Sequence, residues 1–67
     1  MKHTEKAILT ALRDEGTKTA ALLRAWRDLN ESGHYIGQHE LAWQWDSLVH
    51  RQAIVRDGRR WRAASWA

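Results

Sequence analysis

The 67-residue chain contains no cysteine, so it can form neither a disulfide framework nor a cysteine-based metal site. A reducing compartment such as the cytoplasm fits this composition. The chain also lacks proline, and three of its four glycines, Gly16, Gly33 and Gly58, fall where the apolar patterns break. Its apolar runs are too short to span a bilayer, and its charged N-terminal stretch is unlike a signal peptide. We therefore expect no membrane segment.

Positive charge is missing from the middle of the chain. Residues 28–50 contain four acidic residues and no lysine or arginine, which gives a regional net charge of −4. Residues 1–27 carry six basic and three acidic residues, or +3, and residues 51–67 carry five arginines and one aspartate, or +4. The two basic ends favour an anionic partner such as nucleic acid, whereas the acidic middle segment does not.

The sequence shows no arrangement of residues typical of catalysis. No nucleophile lies beside a base and an orienting group, and no glycine-rich phosphate loop is present. His39 and His50 would be about 16 Å apart along a helix and could not share one ion. His34 and His39, with Glu40 nearby, give only a weak metal signal. We expect no enzymatic activity, no cofactor, no metal and no small-molecule substrate.

Three apolar stripes at helical spacing predict helices over about residues 4–14, 19–30 and 38–50. Thr4 and Thr19 are the expected N-caps of the first two helices. The stripes consist of Ile8, Leu9 and Leu12, then of Leu22, Trp26 and Leu29, and finally of Leu41, Trp45, Leu48 and Val49. Packing these stripes together would form one small core that buries Trp26 and Trp45.

The segment IVRDGRRWRAA, which begins at Ile54, predicts a β-hairpin over about residues 53–63. Its Asp-Gly dipeptide between two short strands is a strong signal for a two-residue type I′ turn. That turn would pair Ile54 with Trp61 on the core face, while the arginines of the second strand would point away. Trp66, beyond the hairpin, is expected to clasp the domain or to fray.

Three helices followed by a basic hairpin is the element order of winged helix-turn-helix proteins. The stretch LAWQWDSLVHRQAIVRDGRRWRAA resembles the end of many winged-helix regulators, from recognition helix to wing. The resemblance covers about residues 4–64 and implies one domain over residues 1–67. That domain would be mainly α with a small β-hairpin, an α+β fold with a short strand possible near Thr17–Lys18. The compact chain is similar to small phage or mobile-element regulators.

The resemblance implies a regulator that binds duplex DNA, with the third helix in the major groove and the wing on the backbone or minor groove. Such a protein would be cytoplasmic, associated with the nucleoid, and dimeric on DNA. The candidate phosphate-binding residues are Arg24, Arg27, Arg51, Arg56, Arg59, Arg60 and Arg62. The candidate base-contacting residues are Gln38, His39, Trp43, Gln44 and Ser47, with Glu40 and Ala42 beside them.

The third helix departs from the family pattern because it has no basic residue and places Trp43 opposite its apolar stripe. Trp43 could contact a thymine methyl, stack on a base, anchor a protein, or be covered by the loop that contains Tyr35. The wing arginines could instead prevent the exposed edge of the hairpin from pairing with a strand of another molecule. Arg51, at the end of the third helix, could stabilise that helix through its dipole. An alternative function is therefore a protein-interaction module, for example a phage-encoded inhibitor of a host protein, that uses Trp43 and the acidic face.

Overall fold

Three α-helices precede a two-stranded antiparallel sheet in a computed structural model, which describes residues 2–66. The elements are α1 Lys2–Glu15, α2 Lys18–Glu31, α3 Gln38–His50, β1 Ile54–Asp57 and β2 Arg60–Ala63. This order confirms the predicted fold class, which is mainly helical with a small hairpin in a winged-helix-like layout.

The core lies between the three helices and the inner face of the hairpin. Its largest fully buried side chains are Trp45, Ile8, Leu12, Leu48 and Ile54. The face that α2 buries differs from the predicted stripe, because Ala21, Ala25 and Leu29 are buried while Leu22 and Trp26 are only half-buried. Small alanines let α1 lie close to α2, which moves the larger side chains to the flank of the helix.

The first two helices begin at different residues from those predicted. Thr4 is buried within α1, which already starts at Lys2, so Thr4 is not its N-cap. Thr17, rather than Thr19, precedes α2, and it makes no side-chain capping bond. The C-terminal end of α1 agrees with the prediction, since Gly16 has a φ of 80° and donates its N–H to Leu12.

The turn that follows α3 has a left-handed residue that is not glycine. Gln52 has a φ of 60°, and its N–H donates to the carbonyl of Val49 at 3.0 Å. The next N–H, from Ala53, donates to Leu48 at 2.9 Å. Together these two bonds form a Schellman motif, which satisfies the last carbonyls of α3 and directs the chain into β1.

The hairpin turn lies one residue later than predicted. Ile54 pairs with Ala63 and Arg56 with Trp61, so Gly58 and Arg59 form the loop. Gly58 has a φ of 67°, whereas Arg59 does not have a positive φ, which fits a type II′ turn with glycine first. Because the pairing shifts by two residues, each side chain keeps its predicted face.

Two contacts of Trp61 attach the hairpin to the helices. Its backbone N–H donates to the carbonyl of Gly16 at 2.7 Å, and its ring meets Trp45 edge-on with 5.3 Å between centroids. The strand considered possible at Thr17–Lys18 does not form, since Lys18 already belongs to α2. The backbone hydrogen bond from Trp61 to Gly16 therefore takes the place of strand pairing between β2 and the residues that join α1 to α2.

Candidate nucleic-acid interface

The four arginines of the wing, the hairpin β1–β2, differ in what they contact. Among the described side chains, no carboxylate lies within 4.0 Å of Arg59 or Arg60, and both residues are exposed. Arg62 lies 3.9 Å from Asp57 and also donates to backbone carbonyls. The Nε of Arg56 donates to a carbonyl of the turn at 2.9 Å. Arg59 and Arg60 thus present charge that no neighbouring acid neutralises.

The guanidinium of Arg60 lies against the backbone of Gly16. A Cβ built on Gly16 would collide with this guanidinium, so the close approach requires glycine. Gly16 lies two residues before the start of α2 at Lys18, which also has no acid within ion-pair distance in the described part of the chain. The wing is thereby positioned next to the N-terminus of α2.

Arg24 differs from the wing arginines because three carboxylates surround it. Its guanidinium lies 3.2 Å from Glu15, 3.3 Å from Asp14 and 3.6 Å from Asp28. The hydrogen bond to Glu15, followed by the charge of Asp14, raises the pKa of Arg24 above its ordinary value. Arg24 thus holds the end of α1 against α2, and its charge is already matched, which makes it a poor phosphate ligand.

Two further predicted phosphate ligands lie outside the wing. Arg51, just after α3, forms an ion pair with Glu5 on α1 at 3.6 Å, and its side chain remains 56% exposed. Arg27 lies on the exposed side of α2, and no described carboxylate is within 4.0 Å of it. Of these two, only Arg27 resembles Arg59 in having an unmatched charge.

The outward face of α3 has Trp43 near its centre. Trp43 is 65% exposed, as predicted, and the loop does not cover it, since Tyr35 is itself 82% exposed. The exposed residues one turn away from it along this face are His39, Glu40 and Asp46. Of the other predicted base-contacting residues, Gln38 is exposed, whereas Gln44 and Ser47 are half-buried and Gln44 also donates to Glu40 at 3.4 Å.

An apolar groove of about 400 Å³ runs between the N-terminal halves of α2 and α3. Leu22, Leu23, Trp26 and Ala42 form its walls, and Lys18, Gln38 and His39 lie at its edge. Leu23 is 63% exposed, and it does not belong to the apolar stripe predicted for this helix. The alanines of α2 were the signal that could have indicated its exposure, because they occupy the buried face in its place.

The remaining aromatic side chains serve contacts within the domain. The indole N–H of Trp26 donates to the carbonyl of Ile36 at 2.8 Å, and the guanidinium of Arg13 lies 4.9 Å from the ring centre of Trp66. Trp66 therefore clasps α1, which was one of its two expected states.

One of the two histidines that gave the weak metal signal contacts a third histidine. His34 stacks on His3, with 4.4 Å between ring centroids. Within residues 2–66, no three histidine, cysteine or acidic side chains are grouped so that they could hold a metal ion.

Among the described helices, none is long and apolar enough to cross a membrane. Comparison with known proteins gives no match for this chain among family models, curated proteins or solved structures.

Proposed function

We propose that this protein binds duplex DNA through its basic wing and helix α3, as a small regulator of transcription or of a phage or mobile element. The observation that carries the proposal is the contrast among the arginines. Arg24, Arg51 and Arg62 each lie within 4.0 Å of a carboxylate, whereas Arg59 and Arg60 on the wing do not. Unmatched, exposed guanidinium groups favour phosphate, which they can bind in a bidentate manner.

The position of the wing supports the same function. Arg60 lies against Gly16, two residues before Lys18, and the groove that Lys18 borders also includes Gln38 and His39 of the first turn of α3. A duplex held by the wing would therefore lie near Gln38 and His39, in the part of a recognition helix that commonly contacts base edges. The element order also matches the winged-helix resemblance, which adds DNA binding as an analogy.

A dimer on DNA is part of the proposal, because one module of this size buries only about 600–1,000 Å² of protein surface on a duplex. The protein would then act in the cytoplasm, bound to the nucleoid. Two copies on adjacent half-sites would double the number of phosphate contacts and therefore steepen the salt dependence of binding.

The test is a titration of random-sequence duplex DNA with the parent and with the double variant R59A/R60A, at two salt concentrations. Each phosphate contact that is lost should reduce the slope of log affinity against log salt by about one. The double variant should therefore bind every sequence more weakly, with a slope that is smaller by about two for each bound protomer and by about four for a dimer. Circular dichroism would check that the variant is folded.

The control is Arg24→Ala, which removes one positive charge from a side chain whose guanidinium is already paired with acids. It should leave the salt slope unchanged and cost little stability, because solvent screens exposed ion pairs. Equal binding by the parent and the folded double variant would show that the wing is not the anchor.

A protein-interaction module is the second candidate function, and the groove between α2 and α3 favours it. Leu23 and Trp43 are both more than 60% exposed, which is typical of residues that anchor a protein partner. If the parent binds no duplex even at low salt, this function replaces DNA binding. Leu23→Glu should then abolish binding to the protein partner, while R59A/R60A should not.

A further inference from the structure

The outward face of α3 offers apolar atoms, imidazoles and the carboxylates of Glu40 and Asp46, but no lysine or arginine. His39, Trp43, Asp46 and His50 follow one another along this face, and all four are exposed. Residues 28–50 contain no lysine or arginine. The large apolar surface at the centre of the face is the indole of Trp43, which is 65% exposed, and Ala42 lies beside it, half-buried.

This chemistry limits which base edges α3 can read in a major groove. The commonest specific contact, a bidentate bond to guanine O6 and N7, needs arginine or lysine, and this helix has neither. The apolar feature of the major groove is the C5 methyl group of thymine, which suits an indole and a small alanine. Gln38 can bind the N7 and N6 of adenine, and Asp46 can accept a bond from an exocyclic amino group.

The negative charge of α3, which includes Asp46, gives this helix a different expected role from that of the wing. The carboxylates of Glu40 and Asp46, each about one turn from Trp43, repel phosphate, so α3 should contribute little attraction to the DNA backbone. The wing supplies that attraction through Arg59 and Arg60, and α3 can then contact the base edges. Apolar contact with methyl groups does not depend on charge, so the selectivity that it provides should be nearly independent of salt.

We propose that α3 recognises the C5 methyl groups of pyrimidines in the major groove through Trp43, which makes the protein selective for thymine-rich DNA. This inference rests on the proposed DNA-binding function and adds to it the ligand feature that α3 reads. Phosphate contacts by the wing would bind any duplex, and the indole of Trp43 would distinguish between duplexes by the methyl groups that they present.

Four duplexes of equal length isolate the methyl group. The first pair is alternating adenine–thymine DNA and the same duplex with deoxyuridine in place of thymidine, which differ only in the C5 methyl. The second pair is alternating guanine–cytosine DNA and its form with 5-methylcytosine, which places a methyl at the equivalent groove position. Fluorescence anisotropy of labelled duplexes gives the affinity of the parent, W43A and Y35A for each.

The parent should bind the methyl-bearing member of each pair more tightly, by about fourfold for each methyl group that the indole covers, because each burial removes one carbon group from water. W43A should bind both members of a pair equally. Y35A removes an aromatic ring that is 82% exposed but lies outside α3, so it should keep the preference of the parent.

The outcomes separate the two proposals. If the parent binds all four duplexes equally and in a salt-dependent manner, methyl recognition is wrong while DNA binding stands. If W43A keeps the methyl preference, the assignment to Trp43 is wrong. If no duplex binds at low salt, the proposed function itself fails, and the exposed indole is then expected to serve a protein partner.

Discussion

Helix α3 and the wing project from the same core but present opposite surfaces. The rings of Trp45 and Trp61 meet edge-on and join the two regions, with 5.3 Å between centroids. The wing exposes four arginines, of which three (Arg56, Arg59 and Arg60) have no described carboxylate within 4.0 Å, whereas α3 belongs to a segment without any basic residue. An element without positive charge can bind phosphate only through neutral donors and its helix N-terminus, so we expect the main contribution of α3 to DNA binding to come from contacts with the bases.

The comparison also shows that a basic residue is not a binding residue by virtue of charge alone. Arg24 and Arg60 are both arginines next to the connection between α1 and α2, yet Arg24 is surrounded by three carboxylates and Arg60 by none among the described side chains. Which of the two is available depends on the acids that folding brings to it. Regional net charge, the quantity visible in the sequence, does not contain this information.

The largest expected effect comes from removing the contact that joins the two regions. Trp45→Ala should destabilise the protein by about 3–5 kcal/mol, because Trp45 is only 1% exposed and its loss leaves a cavity between α3 and the wing. Urea denaturation followed by circular dichroism measures the loss. A chain of this size can unfold entirely under such a change, and that outcome agrees with the prediction, whereas a near-neutral result contradicts it.

Two glycines provide a matched pair that tests how the wing is positioned. Gly16→Ala and Gly33→Ala both place a Cβ at a φ of 80–85°, so each should cost about 1–2 kcal/mol of stability. Only at Gly16 does the added Cβ collide with Arg60, while nothing lies within 4 Å of the Cβ at Gly33. Thermal denaturation should therefore show similar losses for both.

Binding of random-sequence DNA should distinguish this pair. Gly16→Ala should displace the guanidinium of Arg60 from its position against residue 16 and so weaken DNA binding, whereas Gly33→Ala should leave DNA binding unchanged. Equal DNA affinities for the two folded variants would show that the position of Arg60 does not matter for binding.

The sequence predicted the regular elements better than the way in which they are joined. The bounds of α3 agree with the prediction at both ends, because its apolar stripe is long and a glycine precedes it. The predicted buried face of α2 was wrong in part, because Leu29 is buried as predicted, whereas alanines, which carry weak hydrophobic signals, take the central positions and leave Leu22 and Trp26 half-buried at the edge of the core. The predicted hairpin register is wrong because it assigns the two-residue loop to Asp57 and Gly58. In the structure Asp57 pairs with Arg60, so the loop consists of Gly58 and Arg59.

Less of the candidate site could be predicted. The exposure of Trp43 follows from its position opposite the apolar stripe, and the structure confirms it. The pairing of Arg24 with acids from α1 and α2 and the contact of Arg60 with Gly16 depend on how the helices and the hairpin pack against one another. Helical spacing and charge counts describe single elements, so they do not reveal such contacts.

A moderate gain in stability is expected at the turn between α3 and the wing. Gln52 has a φ of 60°, a conformation that costs a side-chain-bearing residue about 1–2 kcal/mol and that glycine adopts freely. Gln52→Gly should therefore stabilise the protein, by about 0.5–1 kcal/mol after the added flexibility of the unfolded chain is subtracted. Gln52→Ala, which keeps the Cβ, is the control and should show no gain. A loss of stability in the glycine variant would mean that the Gln52 side chain contributes more than the strain costs.

The smallest expected effect on stability is at Trp43, and it makes the sharpest contrast with Trp45, two positions along the same helix. Trp43 is 65% exposed and lies on the side of α3 away from the core, so Trp43→Ala should change the free energy of unfolding by less than about 0.5 kcal/mol. Alanine also has the higher helix propensity, which offsets part of any lost contact. Urea denaturation of the two variants under identical conditions measures the difference. A loss of several kcal/mol at Trp43 would mean that its indole packs against the domain in solution, and it would remove the basis for assigning this residue to a partner of either kind.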